Sequence, residues 1–171
     1  MISAEWDKYW EKNDAKFNGT HRLIWKVIQK YITPDFKILD IGIGPGVFYE
    51  KPSKFKVLVA IDISIEGLKK AQKIYPDGIF IVCDGHKTDL IDGTFDAVIL
   101  LGVVNYWPDD WGYLLNEARR LVKTGGYIFV SVLSNWNGQH WPAEKIKENI
   151  KFGQVLEIIN IKSWKLAVIQ K

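Results

Sequence analysis

Apolar runs alternate with amphipathic segments along most of the chain. Continuous runs rich in Ile, Val and Leu are typical of strands buried on both faces, and they predict five strands at residues 37–41, 56–61, 79–82, 95–101 and 127–133. Between these runs, apolar residues three and four positions apart predict two helices, one at residues 64–73 capped by Ser64 and one from Asp109 or Asp110 to Val122. Strands that alternate with helices predict βαβ units and a parallel sheet.

The segments before and after the first strand are also predicted to be helical. Two helices are expected at residues 3–17 and 21–32, and Pro34 stops the second one. After Gly46 the next helix is expected to be under two turns long, because Pro52 follows only six residues later.

The end of the chain has a different pattern. A short helix is predicted at residues 142–151, and it precedes two strand-like runs at residues 154–161 and 163–169. Little more than Lys162 separates the two runs, and so short a connection joins only antiparallel neighbours. The predicted fold is therefore a parallel α/β sheet that ends in an antiparallel hairpin.

The first strand leads into a turn with glycine at every second position. Residues 37–46 read Lys-Ile-Leu-Asp-Ile-Gly-Ile-Gly-Pro-Gly, and Asp62 closes the next strand twenty residues after Gly42. Such a turn lets the backbone approach a ligand that any Cβ would push away, and the later carboxylate can accept hydrogen bonds from a pair of hydroxyls. The pattern predicts a site for a cofactor that contains a nucleoside.

Composition sets the frame for this prediction. The chain has 171 residues, of which 47% are hydrophobic, which suits one domain over residues 1–171. A net charge of +3, with basic and acidic residues interspersed, neither excludes nor favours nucleic acid. Acidic residues near the start, an uncharged apolar stretch no longer than residues 97–107 and a lone Cys83 predict a soluble, cytoplasmic protein with no membrane partner. No cluster has metal-ligand spacing, so no metal is expected.

Five segments, in order along the chain, resemble the motifs of the class I S-adenosylmethionine-dependent methyltransferases. The chain most resembles the small methyltransferase type 11 domains of that family. The five segments are residues 38–46, 60–64, 83–85, 95–98 and 117–126. The resemblance implies a Rossmann-like, doubly wound α/β sheet of seven strands in the order 3-2-1-4-5-7-6. It also implies S-adenosylmethionine as cofactor and S-adenosylhomocysteine as product. The domain would divide into helices over the cofactor (1–34), a cofactor-binding core (35–133), and a substrate-side loop, short helix and hairpin (134–171).

The resemblance assigns roles to the residues of the glycine turn and the next strand. The methionyl part of the cofactor is expected to lie against Gly42, Gly44 and Gly46. Asp40 is expected to hold the bend through backbone hydrogen bonds, to face the ammonium group of the cofactor, or to be structural. Asp62 would accept hydrogen bonds from the two ribose hydroxyls.

Further contacts to the cofactor follow from the same resemblance. Asp84 would accept from the adenine amino group. Ile63 would pack on one face of the adenine, and the backbone of Gly85 or His86 would meet a ring nitrogen. Leu101 and Gly102 could offer a backbone carbonyl to the ammonium group of the cofactor. Tyr9 and Trp10 would place aromatic faces over the sulfonium.

The methyl acceptor is unidentified from the sequence, and two loops offer residues that could face it. Asn105, Tyr106 and Trp107 follow the fourth strand, and an aromatic loop containing Trp136 and His140 follows the fifth. Asn105, Tyr106 and His140 are the catalytic candidates, and His86 and His140 are candidate proton acceptors because imidazole is the usual general base. The residues after Asn105 depart from the N-methyltransferase signature, which has two prolines and an aromatic there. With no added binding domain, a small-molecule acceptor is favoured, and the oligomeric state stays open.

Two other functions remain open at this point. An NAD-dependent oxidoreductase would also use Asp62 on a ribose, but its fingerprint requires glycine at the sixth position, where this chain has Val47. A catalytically silent relative that serves as a partner subunit would keep every motif described above. Thermal melting with each cofactor separates the first alternative, and a methyl-transfer assay separates the second.

Overall fold

The computed structural model describes residues 3–49, 55–106 and 111–171. The helices are α1 (Ser3–Lys12), α2 (Gly19–Ile28), α3 (Ile65–Ile74), α4 (Trp111–Leu121) and α5 (Ala143–Asn149), with a 3₁₀ turn at Val104–Tyr106. The strands are β1 (Lys37–Ile41), β2 (Val57–Asp62), β3 (Ile79–Val82), β4 (Phe95–Leu101), β5 (Val122–Leu133), β6 (Asn135–Trp136), β7 (Gln139–His140), β8 (Gln154–Ile161) and β9 (Trp164–Gln170).

Seven strands form one mixed sheet in the order β3-β2-β1-β4-β5-β9-β8. The first five are parallel to one another, whereas β9 runs antiparallel to both β5 and β8. Among the described residues, the short strands β6 and β7 pair only with each other, outside this sheet. Counted without them, the order is 3-2-1-4-5-7-6, so the predicted Rossmann-like α/β fold with its terminal antiparallel hairpin is confirmed.

Most differences from the predicted elements lie at their ends. α1 stops at Lys12, and α2 begins at Gly19 because the Asn18 side chain caps it by accepting from the backbone N–H groups of Thr20 and His21. β5 begins five residues before the predicted start, at Val122, which pairs with Phe95.

The prediction of a short helix after Gly46 needs correction, and the predicted caps of α4 lie outside the described residues. The short helix expected after Gly46 is absent from residues 47–49, where the chain bends instead; Pro52 lies outside the described residues. Asp109 and Asp110, the predicted caps of α4, also lie outside them.

Two apolar clusters hold the helices to the two faces of the sheet. On one face, α4 and α5 contribute Leu114, Leu121 and Ile146 to a cluster with alternate residues of the strands. On the other face, α2 and α3 contribute Ile24, Ile28 and Leu68. Both faces of the central strands are therefore covered, as their continuous apolar runs require, whereas the edge strand β3 is exposed, contrary to the sequence-based expectation. No helix in the described part of the chain is long and apolar enough to cross a membrane.

Candidate functional site

A cavity of about 200 Å³ opens beyond the carboxyl ends of β1, β2, β3 and β4. Its walls come from the glycine turn, from Asp62 and Ile63, from residues 83–86, from residues 101–103, and from α1 and Trp164. Open α/β sheets bind ligands at this end, where the strand order reverses between β1 and β4.

The glycine turn forms one wall of this cavity, and its backbone conformation requires glycine. Gly42 and Gly44 have φ angles of 75° and 52°, a region that L side chains rarely adopt. A Cβ at Gly42 would also lie 2.5 Å from Cγ2 of Val103. The turn is tied to β2, because the N–H of Gly42 donates to the carbonyl of Ile61 at 2.8 Å.

Asp62 ends β2 directly across from this turn. One carboxylate oxygen accepts from the N–H of Gly44 at 2.7 Å, and the other accepts from the N–H of Ser64 at 2.8 Å. Burial raises the pKa of Asp62, although these two donors act against that rise. The side chain still lines the cavity, so each oxygen keeps a lone pair that a ligand hydroxyl could use.

Asp40 lies beneath the turn rather than in the cavity. Its carboxylate is fully buried and accepts a hydrogen bond from the hydroxyl of Tyr49. Burial raises the pKa of Asp40 to about 7, against the opposing effect of the Tyr49 hydrogen bond. Tyr75 supports the same turn, because its hydroxyl donates to the carbonyl of Gly46 at 3.0 Å. Of the three roles expected for Asp40, these contacts fit the structural one, because the carboxylate lies outside the cavity lining and accepts from Tyr49.

The loop after β3 brings a polar pair to the far wall. Oδ1 of Asp84 accepts from the backbone N–H of His86 at 2.9 Å and lies 2.7 Å from Nδ1 of its ring. Gly85 lets this loop approach β1, because a Cβ there would lie 2.4 Å from Cγ2 of Ile41.

A partly buried ion pair between Glu117 and Arg120 fixes the rest of that loop to α4. Oε1 of Glu117 accepts from the N–H and the hydroxyl of Thr88, both at 2.7 Å, and from Arg120 at 2.6 Å. Burial opposes ionisation of Glu117, but the hydrogen bonds from Arg120 and Thr88 outweigh it and lower its pKa to about 2.

Helix α1 lies over the cavity and contributes Trp6 and Trp10 to its lining. The Trp10 ring rests on Gly44, with its Cζ2 3.2 Å from where a Cβ would be. Asp7 anchors the helix on α3 by accepting from the hydroxyl of Ser64 at 2.6 Å and from the N–H of Glu66 at 3.1 Å. No residue of α1 is buried.

Aromatic rings surround the part of the cavity near Gly102. Phe48, Tyr106 and Trp164 line it, and the Tyr106 ring meets Trp6 edge-on at 4.7 Å between centroids. Burial raises the pKa of Tyr106, so the hydroxyl is neutral near pH 7. The N–H of Gly102 donates to Oγ of Ser131 at 3.0 Å, which holds the end of β4 against β5.

The structure brings most of the predicted site residues together around the cavity. Those that line it are Trp10, Gly42, Gly44, Asp62, Ile63, Asp84, Gly85, His86, Leu101, Gly102 and Tyr106.

Five predicted residues do not line the cavity, each for a visible reason. Asp40 bonds to Tyr49, and Gly46 faces Ala71 and Tyr75 of the neighbouring helix segment. Tyr9 is on the exposed side of α1, at 47% exposure. Asn105 is buried, with Oδ1 accepting from the N–H of Leu133 at 2.9 Å. His140 is exposed on the β6–β7 ribbon beside Asn135; Trp107 lies outside the described residues.

Several lining residues were not predicted from the sequence. Trp6 lies one helical turn before Trp10, so the spacing of the two tryptophans could have indicated it. Trp164 comes from the terminal hairpin, and only the pairing of β9 with β5 brings it to Gly102. Within the described ranges, no group of three or more His, Cys, Asp or Glu side chains could hold a metal ion.

Comparison with known proteins adds the family. A family model for a methyltransferase domain matches residues 39–130, more than half of the chain. An uncharacterised protein of Methanocaldococcus jannaschii is 30% identical over 85% of this chain and 69% of its own length. The ubiquinone/menaquinone biosynthesis C-methyltransferase UbiE of Cupriavidus necator is also 30% identical, over 85% of this chain and 62% of its own. This chain covers only 41–47% of the length of four other curated relatives, which include ribosomal protein L11 methyltransferases.

A solved structure shares the fold over nearly the whole chain. It is the 1,6-didemethyltoxoflavin-N1-methyltransferase of Burkholderia thailandensis, determined with 1,6-didemethyltoxoflavin and S-adenosylhomocysteine bound. It is 16% identical, with a TM-score of 0.73, over 99% of this chain and 83% of its own. The match over residues 39–130 and the seven-stranded sheet agree, and this chain belongs to the class I S-adenosylmethionine-dependent methyltransferase family.

Proposed function

We propose that the cavity binds S-adenosylmethionine and that the protein transfers its methyl group to a small-molecule acceptor. The observation that carries the proposal is the position of the Asp62 carboxylate across from the bare backbone of Gly42 and Gly44 in one cavity. Both features are present at the reversal point of the sheet, where a nucleoside and an amino-acid group can be held at the same time.

The residues around the cavity fit this cofactor in type and position. Asp62 would hold the ribose hydroxyls with its two remaining lone pairs, and Asp84 with the loop at Gly85 and His86 would hold the adenine edge. Gly42 and Gly44 line the cavity, so the methionyl part would lie against their backbone, while Val103 and Trp10 occupy the space that Cβ atoms there would need. When bound, S-adenosylmethionine supplies a methyl group on a sulfonium centre for in-line displacement.

The contribution of the protein is then to orient the acceptor and to exclude water. Trp6 and Trp10 cover the cavity from above, and Phe48 and Trp164 close the side near Gly102. Aromatic faces also favour a nearby sulfonium cation by about 0.5–2 kcal/mol. Tyr106 is neutral, so its hydroxyl can donate a hydrogen bond to an acceptor group but does not take its proton.

A small acceptor is favoured by this aromatic wall and by two relatives. UbiE is named for quinone biosynthesis, and the Burkholderia enzyme was crystallised with a small heterocycle. The ribosomal protein L11 methyltransferases are named for a protein acceptor, so that class belongs in the test.

Thermal melting tests the cofactor. At a hundredfold excess over Kd, a bound ligand adds about 2.7 kcal/mol, or roughly 5–10 °C in Tm for a chain of this size. We expect such a rise with S-adenosylmethionine or S-adenosylhomocysteine, its loss in Asp62→Ala, and its retention in Asp77→Ala, which changes an exposed aspartate away from the cavity. A rise with NAD alone would contradict the proposal.

Transfer of a labelled methyl group tests the activity. Small aromatic molecules, ribosomal protein and RNA are offered as acceptors under the same conditions. We expect label in the small molecules, and loss of the signal in Asp62→Ala. Binding of the cofactor with no transfer to any acceptor class would instead support the silent partner subunit.

A further inference from the structure

Strand β3 forms one edge of the seven-stranded sheet and pairs only with β2. In the described part of the chain, no strand pairs with its other side. The backbone N–H and C=O groups that point away from β2 can therefore pair with an added strand.

Apolar residues continue to the edge in two rows across the sheet. The register places Leu39, Val59 and Ile79 in one row and Ile41, Ile61 and Ile81 in the next. The β1 and β2 members of both rows are buried, whereas Ile79 is 53% exposed and Ile81 is 36% exposed. The core face of the sheet thus runs out to solvent without a change to polar residues.

The connection from β3 to β4 explains the exposure. Residues 83–94 contain no helix, so no element of this connection packs over Ile79 and Ile81. Val82, on the opposite face, is also 54% exposed. Three of the four residues of this edge strand are exposed aliphatic residues.

The opposite edge, β8, is protected in the usual way. It carries Glu157 and Asn160 and has a register shift between Val155 and Glu157, and the Tyr31 hydroxyl donates to Glu157 at 2.5 Å. Charged residues and bulges on edge strands prevent association with other chains. β3 has neither, so the difference between the two edges points to a partner at β3.

The charges next to β3 indicate what that partner carries. Asp77 and Asp84 flank the strand and both are exposed, and the Asp84 carboxylate also accepts from the N–H of His86 at the cavity wall. If two copies paired antiparallel about a two-fold axis at Phe80 or Ile81, each Asp77 would come within one position of the other copy's Asp84. Like charges this close are unfavourable in a sheet. A strand with basic residues at its two ends would instead be attracted at both ends.

We propose that β3 is a docking edge for an extended apolar segment of another protein, flanked by basic residues, which adds to the sheet by strand pairing. Main-chain hydrogen bonds to β3 would hold the segment, and its apolar side chains would cover Ile79 and Ile81.

Nuclear magnetic resonance of the isotope-labelled chain tests the proposal with two end-capped synthetic peptides. Both have a core of alternating Val and Thr; one is flanked by lysines and the other by glutamates. We expect the lysine peptide to shift the amide signals of Ile79–Val82 and to protect them from hydrogen exchange, with about fivefold weaker binding of the glutamate peptide. Equal binding of the two peptides, or no shift at β3 up to millimolar concentration, would overturn the proposal.

Variants at β3 and at β8 distinguish specific binding of the peptide at the β3 edge from non-specific binding to exposed apolar residues. Ile81→Lys is expected to weaken binding of the lysine peptide, and Leu156→Lys, which changes an equally exposed residue of β8, is expected to leave it unchanged. Asp77→Lys is expected to narrow the preference for the lysine peptide without changing the fold, since Asp77 is exposed. Concentration-dependent dimers of the wild type that Ile81→Lys abolishes would show that a second copy occupies the edge, against the proposal.

Discussion

Two carboxylates lie on opposite sides of the glycine turn, and burial acts on both. Asp62 faces the cavity and is held by two backbone N–H groups, whereas Asp40 lies beneath the turn against Tyr49. The pKa of each is raised, so neither is placed where water stabilises its charge. The glycine turn that faces the cavity therefore rests on Asp40 and Tyr49, which do not line the cavity.

Asp40→Asn tests this buried charge through the pH dependence of stability. The pKa of Asp40 is about 7 in the folded chain, above the value of 3.8 in the unfolded chain, so the folded state holds an extra proton between these values. The wild type should lose stability on this account as pH rises from about 4 to 7, by up to about 1.4 kcal/mol per pH unit. In urea titrations, the free energy of unfolding of Asp40→Asn minus that of the wild type should increase over this range and level off above pH 7. A difference independent of pH would contradict the prediction.

Gly42→Ala tests whether contact, besides backbone conformation, requires glycine in the turn. Gly42 and Gly125 both have φ near 75–79°, so alanine at either position is strained by about 1–2 kcal/mol. Only at Gly42 would the added Cβ meet Val103, whereas nothing lies within 4 Å at Gly125. We expect Gly42→Ala to lower the free energy of unfolding by about 1–3 kcal/mol more than Gly125→Ala. Equal losses would show that the Val103 side chain moves away freely.

One hydrogen-bond network centred on Glu117 and Arg120 joins α4 to the β3–β4 connection. Glu117 binds Thr88 and Arg120, and Arg120 also donates to the carbonyl of Leu90 at 2.7 Å. The loop that carries Asp84 and His86 at the cavity wall is thus fixed from the opposite end by a buried acid.

Glu117→Gln should weaken that network in a pH-dependent way. The pKa of Glu117 is lowered to about 2 from 4.5, so its ionised form stabilises the fold above about pH 4.5, and this contribution is lost as pH falls toward 2. We expect Glu117→Gln to cost about 1.5–3 kcal/mol at pH 7, measured by urea unfolding, and less at pH 3. The exposed Glu148→Gln on α5 is the control, with an expected change within about 0.5 kcal/mol. A cost at pH 3 as large as at pH 7 would contradict the assigned cause.

The elements that sequence patterns predicted well are those with strong local signals. β1, β3, β4 and β8 have the predicted bounds because each is a continuous apolar run, and Ser64 caps α3 as expected. The β6–β7 ribbon was missed, although Asn137-Gly138, both with positive φ, is a strong signal for a two-residue hairpin turn. The placement of Trp164 beside Gly102 depends on pairing between distant strands, and no local pattern carries that information.

Burial decreases across the molecule from the central strands β1 and β4 to the helix α1 that lies over the cavity. β1 and β4 are buried along almost their entire length between the two apolar clusters, whereas α1 buries no residue. Stability of this kind is uneven, since exposed elements open locally while central strands exchange only on global unfolding.

Hydrogen exchange should show this gradient directly. We expect the backbone amides of α1 to exchange first, those of β3 next, and those of β1 and β4 only at the rate of global unfolding. Asp7→Ala, which removes the contact of α1 with Ser64 and Glu66, should speed exchange in α1 and leave β1 and β4 unchanged. Glu11→Ala, which changes an exposed acid on the same helix, provides a comparison. Faster exchange in β1 for Asp7→Ala would contradict the separation of α1 from the central strands.

The way α1 is held determines how a molecule reaches the interior. Its tryptophans form the roof of the cavity, and it is attached by hydrogen bonds at Asp7 and, just after its end, at Asp14, with no buried residue of its own. We therefore expect this ten-residue helix to open locally while the sheet beneath it keeps its shape. For the cofactor proposed above, we expect Asp7→Ala to change the dissociation rate, measured by stopped-flow fluorescence, far more than the melting temperature.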